Sequence, residues 1–348
     1  MIVLGVFGFG IVKNQFHADY QLLSEIDQKV LSELEQCFQA EKDTPLWEGY
    51  RLSEKTIVAV NGRWGDAYIV NPKVEPKSLF AQKIRMPEKS SLNAYRVAFT
   101  SPQLLQFRGL ADFNNISRSG EALEKNLLGN QVYYTRYTEK SVNGPDYSSG
   151  HYLTFLAHEA FHFYMQGEWS TAGRFDTELM KDEALDQLED EYIVLSKMQE
   201  ALQKKVPDRH ELTELCKEYV AVVEKRLSAK NGYDVKPELQ AETEEGTATY
   251  VGIQASKIIG YPFDVMCVAQ RDGTIEKNYP FSEVVKVLRG GDIDSSVLSS
   301  NLVYETGALL CQVMDVVGPS DWQTQLNRQT KSSQTTLFEI IQKFVNNK

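Results

Sequence analysis

The segment His158-Glu159-Ala160-Phe161-His162 has the pattern HExxH and lies in a stretch whose sequence predicts a helix. Because positions i and i+4 share one face of a helix, the imidazoles of His158 and His162 can reach a single ion. Two neutral imidazoles suit zinc, and Glu159 is placed to accept a proton from a zinc-bound water. The chain contains only 5 histidines, so a chance match is uncommon. The alternative is two surface histidines on an ordinary helix.

The composition predicts a globular protein of 348 residues, enough for one large domain or two of ordinary size. Its net charge of -11 argues against nucleic acid and anionic membrane surfaces as partners. This charge is spread along the chain. The cysteines lie far apart and include no C-x-x-C pair, so we expect mostly buried small hydrophobic residues, with long-range pairing left open. They are Cys37, Cys216, Cys267 and Cys311.

The first twelve residues, MIVLGVFGFGIV, are almost wholly apolar. They are too few to span a bilayer as a helix, and they lack a basic start and a small-residue cleavage site. They fit an apolar strand and, equally well, the remainder of a signal or anchor that begins upstream. Both an exported or membrane-anchored location and a cytoplasmic one are therefore compatible with the sequence. Membrane association is expected only through this segment.

Apolar spacing divides the rest of the chain into two kinds of structure. An amphipathic helix is predicted from Tyr20 to Ala40, so residues 1–42 form a first segment. Residues 43–145 are expected to form a β-rich subdomain, in which short apolar runs alternate with Gly, Pro and Asn. The predicted strands are 56–60, 66–70, 94–100 and 131–137. The last of these directly precedes the HExxH helix, the position at which zincins have an edge strand, so a likeness to zincins implies an edge strand here.

From residue 146 to 348 the pattern is helical, which predicts an α+β fold with a mainly helical part at the C-terminal end. With the HExxH pattern on its first helix, this part resembles the catalytic part of a zincin. A charged stretch at 176–230 with a turn at Pro207-Asp208 predicts a helical hairpin, here read as an insertion. Its Leu stripe indicates packing. Other helices are predicted at 152–166, 237–258, 295–317, 321–328 and 336–345.

A catalytic zinc needs a third protein ligand and an open position for water. The best candidates lie in the segment 242–250, ETEEGTATY. Here the chain resembles the gluzincin peptidases, in particular the aminopeptidase N and leukotriene hydrolase group, whose third ligand is the Glu of an Asn-Glu-Gly-Phe-Ala-type segment on a second helix. The resemblance implies that Glu245 is this ligand, with Glu244 in place of the Asn. A solvated helix face is the alternative for these glutamates.

The spacing departs from that family, because 83 residues separate His162 from Glu245. The predicted hairpin accounts for this excess as an insertion. A second resemblance is the segment Tyr304-Glu305-Thr306-Gly307, followed by Gly318-Pro319, which is similar to the Tyr-Glu-Lys-Gly segment of the same family. It implies that Tyr304 donates a hydrogen bond to the oxyanion of the reaction, while a core aromatic residue is the alternative.

The predicted function is that of a zinc metallopeptidase with one Zn2+ per chain and a peptide or protein substrate. His158, His162 and Glu245 bind the metal, Glu159 is the general base and Tyr304 is the oxyanion donor, in a cleft between the β-rich and helical parts. The Gly-x-Met-Glu-Asn segment, by which aminopeptidases of the resembled family hold the free amine of the substrate, is not found in the sequence, so the resemblance implies endopeptidase-like activity. The alternatives are a zinc hydrolase of a non-peptide substrate and a non-catalytic binding protein, against which an intact Glu159 argues.

Overall fold

A computed structural model describes residues 12, 18–62, 65–105, 126–131, 133–144, 149–170, 175–178, 180–269 and 275–347. Apart from Val12, the apolar N-terminal segment lies outside the described residues. The described chain combines many helices with one five-stranded sheet, so the predicted α+β class is confirmed at this level. It divides into two compact units. The first comprises Met1–Leu46, Tyr50–Leu156 and Ile258–Gly260, and the second comprises Trp47–Gly49, Ala157–Lys257 and Tyr261–Lys348.

The first unit contains the sheet and the amphipathic helix predicted near the N-terminus. Helix α1 (Glu25–Ala40) begins after Ser24, whose side chain accepts a hydrogen bond from the backbone N–H of Asp27. Five strands and two short hairpin strands follow. They are β1 (Ile57–Asn61), β2 (Ala67–Val70), β3 (Ala81–Lys83), β4 (Ala94–Val97), β5 (Asn126–Leu127), β6 (Asn130–Gln131) and β7 (Tyr133–Tyr137), and the short helix α2 (Glu139–Asn143) completes the unit.

The sheet has the order β3-β4-β2-β1-β7, with β7 parallel to β1 and the other neighbours antiparallel. Within the described residues β7 pairs only with β1, as expected for an edge strand. Residues 57–60 and 67–70 are buried without alternation, which is typical of strands covered on both faces. The four predicted strands are confirmed. Strand β3 was not predicted, because three residues with an exposed lysine show no apolar period.

The second unit is mainly helical. Its helices are α4 (Asp182–Gln203), α5 (Arg209–Ser228), α6 (Lys236–Ile258), α7 (Phe281–Arg289), α8 (Val303–Val317), α9 (Trp322–Asn327) and α10 (Leu337–Asn346). The two-stranded hairpin of β8 (Val268–Ala269) and β9 (Ile275–Glu276) lies between α6 and α7. Helix α3 (Tyr152–Tyr164) carries the HExxH pattern, and its part from Ala157 onward belongs to this unit. Among the helices that the structure describes, none is both long and apolar enough to cross a membrane.

The predicted helical hairpin is confirmed as α4 and α5, and a buried ion pair fastens it to α6. Arg226 on α5 is only 2% exposed, and its guanidinium contacts the carboxylates of Glu191 on α4 and Glu238 on α6. Asp208 begins α5 by accepting hydrogen bonds from the backbone N–H groups of His210 and Glu211, as its turn position predicts. Removing one partner of a buried ion pair lowers the stability of a protein by about 3–5 kcal/mol. These contacts therefore fasten the hairpin to the helical core.

Helices α6 and α8 cross with their backbones in direct contact. A Cβ added to Gly307 would lie 2.1 Å from the carbonyl oxygen of Glu242 and 2.7 Å from the Cα of Gly246. A Cβ added to Gly246 would lie 2.3 Å from the Cα of Gly307. Any larger residue at either position therefore forces the two helices apart.

The four cysteines form no disulfide with one another. Cys37, Cys216 and Cys311 are buried, as predicted, and Cys267 is half-buried.

We expect Gly307→Ala to lower the free energy of unfolding by about 2 kcal/mol, as overpacking of a core does. Alanine is intrinsically about 1 kcal/mol better than glycine in a helix, so a net loss measures the cost of separating α6 and α8. The control is Gly167→Ala, whose Cβ would meet no atom within 4 Å. Chemical denaturation of both variants tests this, and equal stabilities would contradict the described helix contact.

Candidate metal centre

Helix α3 presents two faces within the second unit. Phe161 is fully buried and its ring packs edge-on against Trp47, at a centroid distance of 5.3 Å, and against Trp169. The adjoining strip of the helix carries His158 and His162, whose side chains are 14% and 23% exposed. Packing of Phe161 fixes this part of α3 within the unit, and the two histidines beside it stay partly exposed.

Glu245 on α6 meets both histidines. Its Oε2 lies 3.2 Å from Nε2 of His162 and 3.6 Å from Nε2 of His158, and the two histidine Nε2 atoms are 3.0 Å apart. The three ligand atoms thus lie within 4.8 Å of one another. The structure brings together the three residues that the sequence singled out as metal ligands.

The donor set and its spacing fit a zinc ion. A tetrahedral zinc with ligand distances of about 2.0–2.2 Å separates its ligand atoms by about 3.3 Å. The three observed separations lie on both sides of this value. The 3.2 Å separation between His162 and Glu245 and the 3.0 Å separation between the two histidines also suit hydrogen bonds, so the cluster is compatible with a metal-free and a metal-bound form.

Charge couples His162 to Glu245 in the metal-free protein. Burial lowers the pKa of His162, but the hydrogen bond and charge of Glu245, with the charges of Glu159 and Glu244, outweigh it and raise this pKa to about 9. Burial raises the pKa of Glu245, and the hydrogen bonds and charges of the two histidines reverse this, so that its pKa lies below the ordinary value. At neutral pH, His162 is therefore a cation paired with the Glu245 carboxylate.

The two remaining predicted residues lie beside the cluster. Glu159 is half-buried, and its charge acts on His162. The ring of Tyr304, on α8, stacks on His158 with a centroid distance of 5.8 Å and an interplanar angle of 9°. Both residues thus adjoin the candidate ligands, and their roles in catalysis stay predictions.

Two polar partners of the histidines were not considered from the sequence. Gln166 lies in the turn Gln166–Glu168 after α3, and its side-chain oxygen contacts Nδ1 of His162. The hydroxyl of Thr249, on α6, lies 3.4 Å from Nδ1 of His158. Gln166 follows His162 by four residues, and Thr249 follows Glu245 by four. This helical spacing is the signal that could have found them.

Comparison with known proteins adds no relative. No protein-family model matches the chain, and no curated protein and no solved structure matches it. The likeness to the gluzincin peptidases therefore stands on the three short motifs at 158–162, 245–248 and 304–307.

The raised pKa of His162 predicts how the stability of the metal-free protein changes with pH. Because this pKa is about 9 in the folded chain against an ordinary value of 6.5, the stabilisation is fully present below pH 6.5 and is lost as pH rises through 9. We expect the melting temperature of chelator-treated protein to fall more steeply over this interval for the wild type than for His162→Gln.

The His162→Gln control is needed because another group titrates in the same interval. Burial and the charge of Glu191 raise the pKa of Glu242 to about 8. Glu242 is retained in the variant, so the difference between the two curves isolates the pairing of His162. Parallel curves would show that His162 carries no extra proton.

Proposed function

We propose that this protein is a zinc-dependent metallopeptidase of the gluzincin type, with endopeptidase-like activity. One Zn2+ per chain is held by His158, His162 and Glu245. The observation that carries the proposal is the convergence of these ligand atoms within 4.8 Å, although 83 residues separate His162 from Glu245. The mainly helical second unit is then the zincin-like catalytic part.

The electrostatics of the cluster support a cation as its occupant. Glu159, Glu244 and Glu245 all act on His162 to favour its charged form. The same field favours a divalent cation at the same place, because a nearby negative charge stabilises any positive one. A metal ion would replace the proton of His162, since only the neutral imidazole binds a metal.

When bound, zinc lowers the pKa of a coordinated water to about 7 and polarises the scissile carbonyl group. The Glu159 carboxylate accepts a proton from the attacking water as its oxygen bonds to the carbonyl carbon. The same residue passes this proton to the amide nitrogen as the C–N bond breaks. Glu159 is partly exposed, which suits a base that must exchange protons with water and with a leaving amine.

Tyr304 is proposed to donate its phenolic hydrogen to the carbonyl oxygen as negative charge develops there. Its stacking on His158 limits the orientation of the ring and keeps it beside a metal ligand. The Gly246–Gly307 contact fixes α8, which carries Tyr304, against α6, which carries Glu245. Donor and ligand are therefore positioned by one helix crossing.

Zinc content tests the proposal first. Protein purified without a metal-affinity tag is expected to contain about one zinc per chain by plasma mass spectrometry, because a His2Glu set binds zinc in this coordination. His162→Ala and Glu245→Ala should lose most of it. His210→Ala, which removes an exposed histidine of α5, is the matched control and should keep it. If the wild-type protein holds no zinc after incubation with micromolar Zn2+, the proposal is wrong.

Two further variants separate catalysis from metal binding. Glu159→Gln should keep its zinc and lose about 10²–10⁴-fold in kcat, the usual contribution of a general base. Tyr304→Phe should keep its zinc and lose about 10²–10³-fold in kcat, as expected on removal of one oxyanion donor. A panel of peptide and ester substrates serves as the assay. Full peptidase activity in Glu159→Gln would assign the base elsewhere, and turnover of esters alone would favour a non-peptide substrate.

A further inference from the structure

The side chain of Gln166 lies buried between the two helices that carry the candidate metal ligands. It is 3% exposed and follows His162 by one helical turn. Its oxygen contacts Nδ1 of His162, and its nitrogen lies 2.9 Å from the carbonyl oxygen of Glu244 and 2.7 Å from the hydroxyl of Thr247. One buried amide thus joins the end of α3 to α6.

The orientation of this amide follows from the donors around it. The Thr247 hydroxyl donates to the carbonyl oxygen of Thr243 at 2.8 Å, as hydroxyls in helices commonly do. With its hydrogen used there, this hydroxyl accepts from Gln166, and the Glu244 carbonyl oxygen is an acceptor only. The NH2 group of Gln166 therefore faces α6, and its carbonyl oxygen faces His162.

An amide oxygen can only accept a hydrogen bond, so Nδ1 of His162 must carry a hydrogen. In neutral imidazole one nitrogen is protonated and the other holds the lone pair. A hydrogen on Nδ1 leaves the lone pair on Nε2, the nitrogen that faces His158 and Glu245. The hydrogen bond from Thr247 to Thr243 thus fixes the orientation of the Gln166 amide. That orientation in turn fixes which ring nitrogen of His162 carries the hydrogen.

We propose that Gln166 is a positioning residue that holds His162 in the tautomer whose Nε2 can bind zinc. This inference rests on the proposed function and deepens it by assigning the group that orients one metal ligand. Gln166 also bonds the backbone of Glu244, the residue before the third ligand. Its side chain therefore positions both the ring of His162 and the segment that bears Glu245. Removing a residue that orients a metal ligand in this way lowers metal affinity by about 10–100-fold.

The test compares zinc affinity with stability for two substitutions at one position. Gln166→Leu removes the acceptor and the donors, so its zinc dissociation constant, measured by competition with a chromophoric chelator, should rise about 10–100-fold. Gln166→Glu keeps an acceptor for Nδ1 but loses the donors to Glu244 and Thr247. It should lower the melting temperature yet bind zinc more like the wild type than like Gln166→Leu. If Gln166→Leu does not fold, the nearly isosteric Gln166→Met takes its place.

The matched control is Gln199→Leu, which replaces another buried glutamine of the second unit, on α4. It should leave the zinc dissociation constant unchanged. Equal zinc affinity in wild type and Gln166→Leu would overturn the inference, as would equal losses in Gln166→Leu and Gln166→Glu, which would indicate a purely structural role. Nitrogen NMR of the zinc-loaded wild type gives an independent readout, and a metal-bound Nδ1 of His162 would also overturn it. A wild type that binds no zinc would instead overturn the proposed function, so the two failures are distinguishable.

Discussion

The contact between the backbones of α6 and α8 is the constraint on which the candidate site depends. With no side chain at Gly246 or Gly307, the two helices approach until backbone atoms touch. Glu245 precedes the first glycine, and Tyr304 lies one turn before the second. A contact between backbones leaves no rotamer to adjust, so the relative placement of these two residues is set by the helices and not by flexible side chains.

Near the start of α6, a buried group of charged side chains holds the helix at a second place. Glu238, near the start of α6, pairs with Arg226, which also pairs with Glu191, and the hydroxyl of Tyr233 donates to Glu238 at 2.9 Å. Each charged side chain in this group has an oppositely charged partner, as a buried ion pair requires. Helix α6 is thus held near its start by charges from the hairpin and at its middle by α8. The helical hairpin of α4 and α5, which lies between the candidate ligands in the sequence, thus supports the helix that bears one of them.

The sequence predicted those parts of the structure whose signals are periodic or local. Helices α1, α4, α5 and α10 have long apolar stripes, and β1 and β2 are continuous apolar runs. Helix α7 was not predicted, because its nine residues make too few turns to show a clear apolar period. Phe281, Val284 and Val285 nevertheless form its buried face. The parallel pairing of β7 with β1 joins distant segments and has no local signal.

The candidate site shows the same limit. HExxH is a local pattern, and Glu245 was found only through its likeness to a family motif. Gln166 and Thr249 were not considered: the four-residue spacing places them beside His162 and Glu245, but their contacts with Glu244 and His158 form only when α3 and α6 pack together. The direction of a hydrogen bond between two helices depends on which groups around it are already satisfied, and no spacing in the chain records this.

The pairing of His162 with Glu245 bears on how such a protein matures. A cluster of acids with nothing between them would repel itself and open the helices that carry them. Here a proton on His162 balances the Glu245 carboxylate, so the helices can assemble before any metal arrives. On the proposed function, the folded chain offers its metal ligands already in place, and metal binding becomes an exchange of the proton on His162 for a metal ion. Folding of the polypeptide and binding of a metal would then be separate events, because the charges of the cluster are balanced before an ion is present.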